Sequence, residues 1–176
     1  MSFPGIPSLD AAVMAFIQTH FHNTVTDTVF PIITSLGEAG IGWIVLSLVL
    51  LCFKKTRRTG GLVLIAMTVT LLFGELTLKN IICRLRPCNV FTDFPMLIAR
   101  PTSYSFPSGH TSSSFAAALI LTLRHKKVGW LAYIPAVLIA FSRIFLFVHY
   151  PTDVLAGILL GTLAALLTYF AAKAIQ

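Results

Sequence analysis

The sequence predicts an all-α fold: a polytopic transmembrane helical bundle of five to six spans behind an N-terminal interfacial helix. Three observations carry that prediction. The chain of 176 residues is 56% hydrophobic and only 11% charged, whereas soluble domains are about 45–50% apolar and about 25% charged. Its mean hydropathy is +0.86. Apolar runs long enough to cross a hydrocarbon core about 30 Å thick recur between short polar or basic loops. Residues 1–176 read as a single integral-membrane domain. A net charge of +7 would suggest nucleic acid in a soluble protein. In a membrane chain, cytoplasmic loop charge that sets topology explains it better, so no nucleic-acid partner is expected.

The opening "MSFPGIPSLD" has no basic residue before the first apolar run, so no cleavable signal is expected. Residues 8–21 are too few to cross. Leu9, Val13, Phe16 and Ile17 recur there at helical spacing, which predicts an amphipathic helix lying at the membrane interface. His20 and His22 read as interfacial side chains rather than metal ligands. Residues 24–53 form a long apolar stretch dented at Pro31 and at "LGEAGIG", read as one span with a kink or break. Residues 62–82 are a clean second span. Residues 112–123, begun a turn earlier at Pro107 or Ser108, are a short third. Residues 128–148 and 154–172 supply the fourth and fifth. Phe141, Phe145 and Phe147 read as packing within spans, and Cys52 as helix surface or packing. Cys83 and Cys88 could pair only in an oxidising compartment.

Charge orients these spans. "KKTRR" (54–58) and "RHKK" (124–127) are short basic loops of the cytoplasmic kind, and Lys173 falls on the same side. The long loop 84–106, the stretch "SFPSGH" and the turn "FVHYPTD" then share the opposite, extracytoplasmic face. That loop carries Arg84, Arg86 and Arg100, against the orientation rule, and so asks for a functional explanation. Asp93 and Arg100, in that loop, could cover whatever lies beneath it, though nothing in the sequence requires them to.

Three segments distant in sequence meet on that face. In "KNIICRLRP", Lys79 and Arg86 are seven apart, two helical turns, so both can point to one side where a span ends, with Pro87 as the terminator. Glu75, four before Lys79, can pair with it. In "SFPSGH", Ser108 or Thr111 can cap a helix start, and Gly109 permits close backbone approach. The free N–H groups there favour an anion, and His110 lies in the first turn. In "SRIFLFVHYPTD", Arg143 lies within an apolar run, where a charge is costly and usually functional. His149 and Asp153 are four apart, so one turn of helix brings the carboxylate to the imidazole. That contact fixes the ring tautomer and leaves the other nitrogen free to attack.

Three cations, a helix start and two histidines make an inventory suited to phosphoryl transfer: charge for the equatorial oxygens, a nucleophile and an acid for the leaving oxygen. The planar guanidinium fork suits phosphate. Glu38, Glu75 and Asp93 are scattered, so a two-metal mechanism lacks its carboxylate ligands.

The three motifs K-x6-RP (Lys79, Arg86, Pro87), PSGH (Pro107 to His110) and SR-x5-H-x3-D (Ser142, Arg143, His149, Asp153) resemble those of the type 2 phosphatidic-acid phosphatase superfamily of membrane lipid phosphatases. They stand in the expected order over about 75 residues. The resemblance implies a phosphatase without metal or cofactor, working through a covalent phosphohistidine. It makes His149 the nucleophile, Asp153 its orienting carboxylate and His110 the acid for the leaving group. Lys79, Arg86, Ser108, Gly109 and Arg143 would hold the phosphate. The implied partners are a lipid phosphate or pyrophosphate and the membrane lipids themselves. Six spans are common in that family, against five counted here. The compact length looks like the bacterial undecaprenyl-pyrophosphate phosphatases, and an outward-facing site suits a carrier lipid recycled outside the cytoplasm. Phosphatidylglycerophosphate, phosphatidate and lipid A are the alternative substrates. Vanadium haloperoxidases share the cradle but are soluble, which the spans argue against. A transporter would hold its charges near the bilayer midplane. A headgroup-binding protein would need the cations but not two histidines and an aspartate.

Overall fold

The computed structural model describes Phe3 and residues 5–175, all of whose regular elements are helical. The expectation about the chain start involves Met1, Ser2 and Pro4, which lie outside the described residues. Helix α1 (Ser8–His20) leads into α2 (Thr24–Leu36) and α3 (Ile41–Leu51), joined through a 3₁₀ turn at Glu38–Gly40. A helical stretch follows as α4 (Arg57–Thr70), a π-helical segment (Leu71–Leu78) and α5 (Lys79–Ile82). After the short α6 (Pro87–Val90) and a long loop come α7 (Gly109–Arg124), α8 (Tyr133–Phe145) and α9 (Pro151–Ala174).

Two helical stretches, Arg57–Val90 and Pro151–Ala174, are long and apolar enough to cross a membrane. The pair α2 and α3, bent by 47°, makes a third if it is one broken span. The break falls at "LGEAGIG", as the sequence predicts, with Gly40 at φ 71°. Pro31 lies inside α2 without ending it. Helix α7 is short and polar for a span because it is the centre of the bundle. Its Ser112, Ser114, Ala116, Ala117, Ala118 and Ile120 are almost wholly buried. Trp43 of α3 donates to Ser114 Oγ at 2.9 Å, satisfying both groups inside the core.

The pairing of α7 with α9 shows why small residues stand where they do. On α9, Leu155, Leu159, Leu163 and Leu167 are exposed every fourth residue, an apolar stripe facing outward. The opposite face carries Gly157 and Gly161. A Cβ on Gly157 would lie 2.7 Å from the Ser108 carbonyl oxygen, and one on Gly161 would lie 2.3 Å from that of Ser112. The two backbones therefore approach as only glycine allows.

Two helix ends differ from the sequence expectation. The stretch carrying Lys79 ends at Cys83, which is left-handed at φ 51°. Arg86 is extended, and Pro87 opens α6 rather than ending the span. Helix α8 ends at Phe145 instead of running to Val148, and Phe147 turns left-handed at φ 60°. The carbonyl of Arg143 accepts from both Val148 N (3.2 Å) and His149 N (3.1 Å), folding the chain back beneath α8. Phe147 is fully buried and stacked on Phe94 of the long loop at 3.9 Å between ring centres. Phe145 is fully buried too, so both serve packing as predicted.

Helix α1 forms where expected, but its inward face is only partly apolar: Asp10 and Gln18 are buried with Met14 and Ile17. Gln18 donates to the Phe145 carbonyl at 3.0 Å, filling an orphan acceptor at the end of α8. Cys52, Cys83 and Cys88 are all free thiols, Cys88 buried and the others exposed, so Cys83 and Cys88 do not pair.

Candidate active site

Lys79, Arg86, Gly109, His110, Arg143 and His149 line one cavity of about 970 Å³. They arrive from α5, the extended strand-like entry to α6, the start of α7, the end of α8 and the turn before α9. Lys79, Arg86, Arg143 and His149 are each no more than 5% exposed. The cavity continues between the α2–α3 break and α4, past Thr34, Ile44, Leu64 and Met67. Ser108 and Asp153, the other two predicted site residues, are fully buried and lie behind the wall.

The two nitrogens of His149 face different neighbours. Arg86 Nη1 donates to Nε2 at 2.9 Å, so Nε2 is the lone-pair nitrogen and Nδ1 carries the proton. Nδ1 is 3.5 Å from Asp153 Oδ2. Ser105 sits beside this contact: its hydroxyl donates to Asp153 Oδ2 and lies 3.4 Å from Nδ1. Burial first, then the charges of Arg86, Arg143 and Lys79, hold the imidazole well below its ordinary pKa. A neutral ring with Nε2 unprotonated is the form that can attack phosphorus. His149 is in the turn before α9, not on a helix, so the expected one-turn reach to Asp153 runs across the helix start.

The cations are fixed in different ways. Arg86 donates to Ser103 O (2.7 Å), Ser103 Oγ (2.9 Å) and Val148 O (2.8 Å), which pins the long loop and the α8–α9 turn to one guanidinium. Arg143 Nη1 donates to Thr34 Oγ1 of α2, and its buried Nε has no partner among the described residues. An unsatisfied guanidinium donor beside a cavity is costly unless a ligand fills it. Lys79 donates to the Glu75 carboxylate at 2.8 Å, the predicted pair. Glu75 comes from the π-helical segment, a feature frequent at functional sites. A Cβ on Gly109 would meet Glu75 Oε1 at 2.0 Å, so a side chain there would push the Glu75 carboxylate aside.

Helix α7 starts at Gly109, with Ser108 at its N-cap position. Contrary to expectation, neither Ser108 nor Thr111 caps it: Thr111 Oγ1 donates to Ser108 Oγ at 2.9 Å. The Ser108 backbone N–H donates to the Asp153 carbonyl at 3.0 Å, which joins the starts of α7 and α9. Arg100 lines the cavity and donates to carbonyls of Cys88, Thr92 and Phe94, so it folds the loop that covers the site. Among the described residues, no three His, Cys, Asp or Glu side chains are grouped to hold a metal ion. His22 pairs with Asp27 at 2.7 Å, away from the cavity.

Sequence reasoning assigned no role to Ser105, Asp10 or Arg84. Arg84 Nη1 donates to Asp153 Oδ1 at 2.7 Å, and its Nη2 to Asp10 Oδ2 at 2.7 Å. The signals available were the basic loop on the wrong side, for Arg84, and a carboxylate next to the apolar stripe of an amphipathic helix, for Asp10.

Comparison with known proteins gives a consistent family. Residues 59–175 match the PAP2 superfamily. An undecaprenyl-diphosphatase of Sulfolobus acidocaldarius is 40% identical over 121 residues, covering 68% of this chain but only 58% of that protein, less than two thirds of its length. A protein of Bacillus licheniformis named bacitracin transport permease protein BcrC is 33% identical over 145 residues, 81% of this chain and 71% of that protein. The crystal structure of a transmembrane PAP2-type phosphatidylglycerolphosphate phosphatase from Bacillus subtilis superposes with a TM-score of 0.78 at 29% identity, covering 99% of this chain and 89% of that one.

Proposed function

We propose, from the premise that this chain belongs to the PAP2 superfamily, that it hydrolyses a lipid phosphate or pyrophosphate, with undecaprenyl pyrophosphate the first candidate. The observation that carries the reading is the convergence of Lys79, Arg86, Arg143, His110 and His149 on one cavity. The Arg143 Nε left without a partner supports an anion there. The substrate preference rests on the name of the Sulfolobus relative. Phosphatidylglycerophosphate, which the Bacillus subtilis structure's title suggests, phosphatidate and lipid A remain as alternatives.

In this mechanism the phosphoryl group displaces the Arg86 contact on His149 Nε2, and Arg86 turns its donor to a phosphate oxygen. Nε2 forms a bond to phosphorus as the bond to the leaving oxygen breaks. His110 delivers the proton that oxygen needs. Water, giving its proton to His110, then attacks the phosphohistidine, and inorganic phosphate leaves with His149 neutral again. Lys79, Arg143 and the backbone at Gly109 stabilise the equatorial oxygens. Asp153 holds the proton on Nδ1. No metal or cofactor takes part.

The whole chain acts as one membrane domain in this reading, with α2–α3, 57–82, α7, Gly129–Phe145 and α9 as five spans and α1 at the interface. The site then faces outward, away from the basic loops.

Phosphate release by the purified protein from undecaprenyl pyrophosphate, phosphatidylglycerophosphate and phosphatidate, measured side by side, tests the reading. Turnover should persist in excess EDTA and be inhibited by vanadate. No release from any of the three, or loss in EDTA restored by magnesium, defeats it. The name of the Bacillus licheniformis relative favours a second reading, transport. Movement of a labelled solute across proteoliposomes without phosphate release would establish that one instead.

A further inference from the structure

Asp10 and Asp153 are both fully buried carboxylates, and the guanidinium of Arg84 stands between them. Arg84 Nη1 also donates to Thr152 Oγ1 at 2.7 Å, and that hydroxyl donates on to Asp10 Oδ2 at 2.7 Å. The other Asp10 oxygen accepts from Thr152 N at 2.9 Å, filling an N–H at the start of α9. The guanidinium carbon lies 3.8 Å from the centre of the Tyr150 ring. Arg84 is thus held by Asp10, Thr152 and the Tyr150 ring as well as by Asp153. A buried carboxylate without its cation would be strongly disfavoured, so these groups stand or fall together.

The consequence reaches His149. Asp153 Oδ1 is occupied by Arg84, and Oδ2 accepts from Tyr150 N at 2.9 Å and from Ser105. Those bonds set the plane of the carboxylate, and that plane sets which oxygen faces His149 Nδ1. Arg84 meets Asp153 through one donor and Asp10 through another, so the position of Asp10 fixes the angle at which Arg84 holds Asp153. Asp10 belongs to α1, outside the residues 59–175 that match the family.

We propose that Asp10, acting through Arg84, is a positioning residue for Asp153 and His149, so that the N-terminal helix is a working part of the active site. The inference rests on the phosphatase reading above. Supporting contacts of this kind around metal ligands are worth about 10–100-fold in affinity or activity, and residues acting through a shared partner are non-additive.

The test is a double-mutant cycle on the full-length protein, with Asp10→Asn and Asp153→Asn singly and together, assayed on an aryl phosphate at high enzyme concentration. Asp10→Asn keeps an acceptor for Thr152 but loses the charge. It should lower kcat on the order of 10-fold with little change in KM, and should cost almost nothing further once Asp153 is already Asn. Vanadate affinity, read by tryptophan fluorescence or a thermal shift, should be kept, which shows the chain folded. If Asp10→Asn does not fold, Arg84→Lys in the same cycle gives the same expectation. Equal losses in both backgrounds, or no loss in kcat from either variant, overturn the proposal. An unsubstituted protein that releases no phosphate defeats the phosphatase reading instead, so the two failures are told apart.

Discussion

His149 and His110 share a cavity but not a setting, and that difference separates their proposed parts. His149 is 1% exposed and has one nitrogen toward Arg86 and the other toward Asp153, the arrangement of a fixed nucleophile. His110 is half-buried in the first turn of α7, with no carboxylate hydrogen-bonded to its ring among the described residues. His149→Ala should therefore abolish turnover and any acid-labile phosphoenzyme. His110→Ala should lose about 10²–10⁴-fold on a lipid phosphate, as for a proton donor, and much less on p-nitrophenyl phosphate, whose leaving oxygen hardly needs a proton. Rates of both variants on both substrates check this. Equal impairment of His110→Ala on the two substrates, with phosphoenzyme still formed by His149→Ala, would reverse the roles. The motif residues were legible from their types and spacing in three segments, with Arg143 marked further by its apolar run. Asp10 and Ser105 were not: a carboxylate in a first turn and a serine in a polar loop have ordinary readings until the fold joins Ser105 to Asp153 directly and Asp10 to it through Arg84.

At the scale of the helix, the site depends on how closely α7 approaches α9, since one carries His110 and the other Asp153. Gly161 sets that approach: a Cβ there would lie 2.3 Å from Ser112 O and 3.0 Å from Ala116 N, both backbone atoms that cannot turn aside. Gly161→Ala should destabilise by about 1–3 kcal/mol, the usual cost of overpacking. Gly61→Ala is the control. Its Cβ would meet nothing within 4 Å, so alanine should be neutral or stabilise by up to about 1 kcal/mol. Thermal unfolding in one detergent compares them, and equal melting temperatures would mean that α7 and α9 tolerate separation. The helices themselves were readable from their apolar runs, and the α2–α3 break from its glycines. The ends at Cys83 and Phe147 were hidden because both are left-handed without glycine. Phe147 is held in that conformation by its stacking on Phe94, a contact across more than fifty residues that no local rule reports.

Over the whole molecule, three helices repeat one polarity. The stretch from α4 to α5 starts in the basic loop at Arg57 and ends at Lys79 in the cavity; α7 runs from His110 to Arg124, and α9 from Asp153 to Lys173. Each begins or ends in the site and has its free lysines or arginines at the far end. If the basic loops are cytoplasmic, as the sequence reading expects, these far ends lie inside, while Arg84 is paired with two buried carboxylates and Arg86 and Arg143 are buried on the cavity wall. Composition and spacing carried the segregation of basic loops from the site. They did not carry the number of crossings, because α7 spends its length on serine, alanine and histidine inside the bundle, where apolarity is not what burial requires. The orientation is open to a direct measurement. Cys88 is buried, so replacing only Cys52 and Cys83 with serine leaves a chain without exposed thiols. Single cysteines at Lys55, in the basic loop, and at Thr102, in the loop over the site, are both at exposed positions. In intact cells, a membrane-impermeant maleimide should modify the Thr102→Cys chain readily and the Lys55→Cys chain only after permeabilisation. If both label in intact cells, the two loops share a side of the membrane and the helical polarity does not correspond to crossings. If only Lys55→Cys labels, the site faces inward and a carrier lipid recycled outside the cytoplasm is no longer the substrate to expect.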